Sequence, residues 1–361
     1  MTKVLAWLLG VVVLLAVLRL LGVDVIGWLD SLWDEISDIP KGYLVAALTF
    51  QTLQTFFAGL SYYGILKFAY KDEVTLWPIV AAYAVGVAMN GFLPANIGTF
   101  VSLLMFVAII PSCTVGGAIA AYIVQKIFFT IAGTFVYLYM FLSVPNSFDV
   151  SIGGNLKAYP WLTVLVIVGG ALLIVIVGRI LWSKVKKLWE QAKQGGAILT
   201  EPKTYLRRAF LPSFLAWLSK LAVVGIFLAA FAIPVTFNSI MWVVGSGSLA
   251  NVASFTPGAV GVTQATNALA LDACCDVPRS TAIDYSTAQQ LITTGWNQIV
   301  AIALVIWVFG WTGGKQLVTT SYRDAKEQAA DMKEQRAEKK AAKKEAKEAE
   351  KEAKRQQKSA E

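Results

Sequence analysis

Histidine is missing from this sequence, and the other side chains that carry most enzyme chemistry are scarce. The 361 residues include 0 His and 3 Cys, and 15% of them are charged. The commonest acid–base residue and metal ligand is therefore absent. Cys113 stands alone, and the adjacent Cys274 and Cys275 match no zinc or redox motif, which leaves a free thiol or a local bond open. We expect no enzyme activity, no cofactor and no metal site.

The chain is rich in long hydrophobic segments. It is 57% hydrophobic with a mean hydropathy of +0.61, and several apolar runs are long enough to cross about 30 Å of hydrocarbon. The pattern predicts an all-α polytopic membrane protein, and the first run lacks a small-residue cleavage pattern, so we expect it to be an uncleaved span. The six predicted full spans are Val4–Gly22, Gly42–Leu66, Gly117–Leu142, Trp161–Trp182, Phe210–Ile233 and Leu291–Trp311.

Two further hydrophobic stretches, Trp77–Ile110 and Ile240–Leu271, are each interrupted by a proline and glycines. Irregular backbone at membrane depth persists only where it faces protein or a wet cavity. Paired breaks in two halves of a chain are typical of a transporter's binding site. The residues predicted to shape the breaks are Pro94, Gly98, Pro257, Gly258 and Gly261.

Loop charge predicts the orientation of the spans. Residues 24–38 are acidic, which suits the outside, whereas Lys67, Lys71 and the basic segment 183–208 suit the cytoplasm, and 143–160 has little positive charge. These assignments agree if each interrupted stretch returns to the side it entered from. We therefore expect two re-entrant broken helix hairpins in inverted repeats, with both termini on the cytoplasmic side of the plasma (cell inner) membrane. Two ordinary broken crossings remain the alternative.

Lys126 and Lys220 each lie about ten residues into a predicted span. A lysine near the bilayer centre is rare and usually faces a partner or a cavity, although it can also snorkel or pair with helix carbonyls. No Asp or Glu lies inside a predicted span, so we expect an anionic substrate group as counter-ion. The remaining predicted substrate-binding residues are amides, namely Asn90, Asn96, Gln125, Asn251 and Gln264. Ser246 and its two neighbours suit close helix packing instead.

The C-terminal segment differs in composition from the rest. Residues 315–361 are rich in Ala, Glu and Lys and lack an apolar stripe, which predicts a charged cytoplasmic tail, either a solvated helix or a disordered arm. The chain thus divides into a transmembrane domain, 1–314, and the tail. We expect anionic membrane lipids as partners and no nucleic acid, since aromatic and motif signals for it are absent. The sequence names no protein partner.

The two breaks carry motifs in a recognisable order. Leu93–Thr99 resembles a Leu-Pro-x-x-x-Gly-Glu-type motif, Thr256–Gln264 resembles a Pro-x-Gly-Gly-x-Gly-x-x-Glu-type motif, and Gln125–Lys126 resembles a Glu-Arg pair. Together they resemble the flippase-like family built on the transmembrane region of lysylphosphatidylglycerol synthetases, over about Val4 to Trp311. The resemblance implies a membrane lipid translocator that moves an anionic phospholipid or polyprenyl-phosphate lipid between leaflets.

The chain departs from the family pattern at its acidic positions. Thr99, Gln125 and Gln264 stand where the family commonly has carboxylates, and Gly258–Ala259 replaces a Gly-Gly. Lys126 keeps the basic charge, which favours recognition of an anionic head group over a proton relay. No folded transferase domain follows the last predicted span, so lipid synthesis is not expected. The competing hypothesis is a non-transporting membrane scaffold that recruits cytoplasmic partners through its basic loop and tail.

Overall fold

The computed structural model describes residues 34, 36–93, 97–143, 195–253 and 257–359, and every regular element in these ranges is helical. Short 3₁₀ turns occur at Lys71–Glu73, Ala197–Thr200 and Pro257–Ala259. The longer helices are α1 Lys41–Tyr70, α2 Leu76–Asn90, α3 Ile97–Ile109, α4 Val115–Ser143, α5 Pro202–Ala230, α6 Phe237–Ala253, α7 Val262–Cys275 and α8 Arg279–Ser359. The predicted all-α class is confirmed.

Four of the described helices are long and apolar enough to cross a membrane. The qualifying segments are Lys41–Glu73, Val115–Phe141, Pro202–Ala230 and Arg279–Glu327. They coincide with four of the predicted full spans, because length and hydropathy alone determine this property. The other two predicted spans, Val4–Gly22 and Trp161–Trp182, lie outside the described residues, and the total number of spans stays a prediction.

The chain divides into two compact units, each with its own hydrophobic core. The described part of the first unit has three segments. They are the residues up to Gln54, the part of α4 from Thr130 to Ser143, and Leu215–Trp296. Those of the second unit are Thr55–Phe129, the segment ending at Phe214, and everything from Asn297. Each unit contains one pair of short helices. The predicted division at residue 314 stays a prediction, since α8 continues as helix through that position after a kink at Gly310.

In the second unit α2 and α3 pack against each other as a helical hairpin. They have 15 and 13 residues, so each is about 20 Å long and too short to cross about 30 Å of hydrocarbon. The segment before α2 and the segment after α3 lie side by side. The Ser112 hydroxyl and backbone N–H donate hydrogen bonds to the Glu73 carboxylate at 2.6 and 3.0 Å. The two outer ends of the hairpin are therefore next to each other.

In the first unit α6 and α7 form a second hairpin with 17 and 14 residues. Here too the ends meet, since the Asn238 side-chain amide donates a hydrogen bond to the Cys274 carbonyl at 3.3 Å. Cys274 and Cys275 are joined by a disulfide, which settles the sequence alternative in favour of the local bond. Cys113 is buried with a free thiol.

The turn between α6 and α7 contains residues with left-handed backbone. Gly258 has φ 61°, Ala259 has φ 60° and Gly261 has φ 84°. Glycine adopts this region without a steric penalty, whereas an L-residue pays about 1–2 kcal/mol. The side chain of Ala259 therefore destabilises the backbone conformation of the turn.

Ala259→Gly is expected to raise the free energy of unfolding by about 0.5–1 kcal/mol, since the relief at φ exceeds the entropy glycine adds to the unfolded chain. Thermal unfolding of the purified protein in detergent measures it. The matched control is Ala270→Gly, at a buried position within α7, which should destabilise by about 1 kcal/mol. Shifts of the same sign in both variants would contradict the prediction.

Candidate functional site

A polar cavity lies in the first unit, where α5, the tip of the second hairpin and the first part of α8 meet. Its volume is about 210 Å³, enough for several water molecules. Val224, Val243 and Val244 form part of its wall. The polar side chains that line it are Lys220, Thr263, Asn267, Ser286, Gln289, Gln290 and Thr293. The tip contributes backbone at Gly258, and α6 contributes Gly247.

Asn267, one of the residues that line the cavity, ties three helices together. Its side-chain oxygen accepts a hydrogen bond from the Ser246 hydroxyl of α6 at 2.6 Å. Its amide nitrogen donates to the Ser286 hydroxyl of α8 at 2.8 Å. Asn267, Ser246 and Ser286 are all buried, and buried polar groups need such partners. Ser246 thus serves helix packing, as the sequence suggested.

Gln264 uses both ends of its amide. Its oxygen accepts the Gly261 backbone N–H at 2.7 Å, which satisfies a free donor at the start of α7. Its nitrogen donates to the Gln290 side-chain oxygen at 2.8 Å, and the Gln290 nitrogen donates in turn to the Gly258 carbonyl at 2.5 Å. Because an ionised carboxylate only accepts hydrogen bonds, a glutamate at this position could not make the donation to Gln290 that the Gln264 amide makes.

Lys220 supplies the positive charge of the cavity. It lies on α5, is half-buried and lines the space that Gln290 and the hairpin tip also line. An ammonium group offers three donors, and hydroxyl groups offer further ones. Hydrogen bonds from a charged donor to a phosphate are about twice as strong as neutral ones. The cavity is therefore suited to a small anionic group of roughly phosphate size, and not to a whole lipid.

Lys126 belongs to the second unit and does not line this cavity. It lies on an exposed face of α4, where its Nζ is 5.1 Å from the Tyr122 ring centroid and 5.3 Å from that of Phe129. Such contacts with aromatic faces stabilise a cation. Its neighbour Gln125 is buried, and the Gln125 side-chain oxygen has no hydrogen-bond partner. The two lysines that the sequence grouped together thus belong to different units.

Asn90 closes the first hairpin. Its side-chain oxygen accepts the Thr99 backbone N–H at 3.3 Å, and its nitrogen donates to the Thr99 hydroxyl at 3.0 Å. Thr99 is the third residue of α3, so Asn90 satisfies a free donor at that helix start. Gly98 is buried against Gly86 of α2. Pro94 and Asn96, and the side chains of Asn251 and Pro257, lie outside the described part of the chain.

The cavity residues of α8 were not among the predicted site residues, and Ser286, Gln289 and Gln290 precede the predicted start of the last span at Leu291. Ser286, Gln290 and Thr293 follow each other at intervals of four and three residues, and this spacing places them on one helix face. The polar stripe was the signal that could have found them. In the ranges that the structure describes, no group of three His, Cys, Asp or Glu side chains could hold a metal ion.

A comparison with protein-family models matches residues 7–302 to the lysylphosphatidylglycerol synthase TM region. The chain belongs to this family. The matched range contains both hairpins and the cavity and stops before the kink at Gly310. Comparisons with curated proteins and with solved structures found no significant match. Family membership and the four candidate spans identify an integral membrane protein linked to lipid modification or transport.

Proposed function

We propose that this protein is a lipid translocator, not an enzyme, and that it moves the head group of an anionic phospholipid or polyprenyl-phosphate lipid between leaflets of the plasma membrane. The observation that carries the proposal is the polar cavity around Lys220. Its ammonium group neutralises the lipid phosphate, while Gln289 and Thr293 contact polar head-group atoms. The acyl or prenyl chains stay in the surrounding hydrocarbon.

The chemistry of the cavity supports transport over a scaffold. Polar side chains within membrane helices are costly unless they serve packing or face a wet space. Asn267 and Gln264 serve packing through their hydrogen bonds, and Lys220 and Asn267 also line about 210 Å³ of open volume. A scaffold needs no such volume at a helix break. The geometry of the break therefore favours a path for a head group.

The two hairpins support the topology that transport requires. Both are too short to cross the hydrocarbon, and each has its ends joined by hydrogen bonds. In our proposal they are re-entrant, entering from opposite faces of the membrane, and both termini are cytoplasmic. The tip of the second hairpin at Gly258 then reaches the cavity near the membrane midplane, as in inverted-repeat transporters.

Leaflet exchange of labelled lipids in liposomes tests the function. Wild-type protein should exchange anionic lipid faster than protein-free liposomes and faster than zwitterionic lipid. Lys220→Met should reduce anionic exchange about tenfold, since losing one charge-assisted hydrogen bond costs about 1.5–3 kcal/mol. Exchange no faster than in protein-free liposomes, with several anionic lipids and both with and without an ion gradient, would overturn the proposal.

Two further variants sharpen the assignment of the phosphate ligand. Lys203→Met removes the same charge from an exposed position at the start of α5 and should leave exchange within about twofold of wild type. Lys126→Met tests the prediction from the sequence that Lys126 binds the substrate. A loss as large as that of Lys220→Met would assign the lipid phosphate to both lysines.

A further inference from the structure

A second pocket lies within the second unit, between the end of α1 and the beginning of α5. Its volume is about 360 Å³, within the range of small-ligand sites. Three cationic side chains line it, namely Lys67, Arg207 and Arg208. Leu60, Tyr63 and Pro212 supply the remaining side-chain surface. The pocket thus combines an apolar wall with a concentration of positive charge.

The backbone at this pocket is held in an unusual form. Leu206–Phe210 makes one turn of π-helix within α5, a local irregularity that is frequent at functional sites. Pro212 has no N–H, so the Arg208 carbonyl four residues earlier receives no helical hydrogen bond from it. Gly64 of α1 packs against that carbonyl so closely that a Cβ at Gly64 would overlap it.

Two serines fix the same contact. The Ser61 hydroxyl donates a hydrogen bond to the Ala209 carbonyl at 3.0 Å, and the Ser213 hydroxyl donates to Ser61 Oγ at 2.9 Å. Both serines are buried. The π-turn that carries Arg207 and Arg208 is therefore attached to α1 through the backbone. The arginine side chains start from a rigid base while their guanidinium groups stay accessible.

The charges point to a phosphate group as ligand. The planar guanidinium of arginine binds phosphate in a bidentate manner. Lys67 lies 3.6 Å from the Asp72 carboxylate, but that carboxylate is fully exposed, and exposed ion pairs contribute little. A phosphate entering the pocket therefore meets a local excess of positive charge.

The position in the chain points to a lipid as the source of that phosphate. Lys67 lies in the last turn of α1, and Arg207 lies in the first turns of α5, so both are at the ends of candidate membrane spans. Lysine and arginine at such ends reach the head-group layer. Tyr63 has the amphipathic ring that is common at that depth.

We propose that this pocket binds the phosphate head group of an anionic membrane lipid, as a site separate from the cavity around Lys220. The ligand class rests on the proposed lipid function, while the location rests on the pocket alone. A soluble phosphate ester has the same recognising chemistry, so the experiment includes both sources. On the orientation that loop charge predicts, the site faces the cytoplasmic leaflet.

The test is equilibrium binding of short-chain phosphatidylglycerol to the purified full-length protein in neutral detergent. It is done on the Lys220→Met background, which removes the charge of the other cavity, so a failure here is distinct from a failure of lipid exchange. Arg207→Gln and Arg208→Gln should each weaken binding at least about tenfold. Lys203→Gln removes an equal charge in the same region outside the pocket and should change the affinity less than about twofold.

A pocket-blocking variant tests the site without changing charge. Leu60→Trp should also weaken binding at least about tenfold, because the larger side chain fills the cavity. Leu206→Trp, at an exposed position that does not line the pocket, is its control. Equal losses in the pocket variants and their controls, or no loss in any of them, would overturn the proposal.

Competition identifies the source of the phosphate. Glycerol 3-phosphate and inorganic phosphate are added at millimolar concentration to protein with bound short-chain phosphatidylglycerol. Retention of the lipid supports a site for a membrane lipid, in which the chains contribute to affinity. Complete displacement at concentrations near those of the lipid would assign the pocket to soluble phosphate esters and overturn the lipid assignment.

Discussion

Gln264→Glu is expected to bring the exchange of anionic lipid close to the level of protein-free liposomes. Gln264 is buried at the start of α7 and donates a hydrogen bond to Gln290, which lines the cavity with Lys220. A carboxylate there cannot make that donation. It also adds a negative charge beside the space in which we place the lipid phosphate.

The size of the effect follows from Coulomb's law. Two unit negative charges about 5 Å apart repel by about 3 kcal/mol at an effective dielectric constant of about 20. This energy corresponds to roughly a hundredfold loss of affinity. The lost hydrogen bond adds about 1 kcal/mol.

Gln264→Met separates the two contributions, because it removes the same hydrogen bonds without adding charge. We expect it to slow exchange less than about tenfold, given that hydrogen bonds between membrane helices contribute about 1 kcal/mol. Exchange by the glutamate variant should also recover as the pH is lowered, since a protonated carboxyl group is neutral and donates. If both variants slow the exchange of anionic lipid equally at every pH, the added charge has no effect on exchange.

Gly98→Ala is expected to lower the free energy of unfolding by about 3 kcal/mol, the upper part of the range for overpacking a buried contact. A Cβ at Gly98 would overlap the Gly86 carbonyl and lie 2.7 Å from both the Asn90 backbone nitrogen and the Asn90 side-chain oxygen. These atoms are backbone or are held by hydrogen bonds to Thr99. The hairpin must open to admit the methyl group.

The control is the same replacement at Gly133, within α4, where an added Cβ meets no atom within 4 Å. Gly133→Ala should be neutral or stabilising by up to about 1 kcal/mol, since alanine is the better helix former. Thermal unfolding in detergent compares the two. A fall at Gly133 as large as that at Gly98 would show that helix glycines are required for some reason other than the contact with Gly86.

The helices and the returning hairpins could be predicted from the sequence because they depend on local signals. Hydropathy over twenty residues determines a span, and a proline in an apolar stretch determines a break. Loop charge then required each interrupted stretch to turn back. The hydrogen bonds from Ser112 to Glu73 and from Asn238 to Cys274 join the two ends of each helix pair, and the re-entrant placement in a membrane stays a prediction.

The rotation of a membrane helix about its axis could not be predicted in the same way. In α4 the exposed Ile123 and Ile131 are as apolar as the buried Val124 and Phe128, so the pattern does not indicate which face is internal. For that reason Lys126 and Lys220 looked equivalent in sequence. Only the packing of the first unit distinguishes Lys220, by enclosing it with residues of α7 and α8.

The roles of single amides also depended on partners distant in the chain. Asn90 and Gln264 looked alike as intramembrane amides, but each satisfies a backbone N–H at the start of a hairpin's second helix. Thr99 and Gln264 occupy positions where the resemblance implied carboxylates. In this chain the two residues form hydrogen bonds through neutral groups. These hydrogen bonds could be predicted only if the pairing of the helices were already known.

The bond from Gln290 to the Gly258 carbonyl makes the hairpin tip a latch. Gln264 holds Gln290, and Gln290 holds the tip, so the tip is released when the Gln290–Gly258 hydrogen bond breaks or when α8 moves with it. At about 1 kcal/mol for this hydrogen bond, the released form is populated at roughly 15 per cent. The tip is therefore fastened for most of the time, and in the transport that we propose a head group passes while it is released.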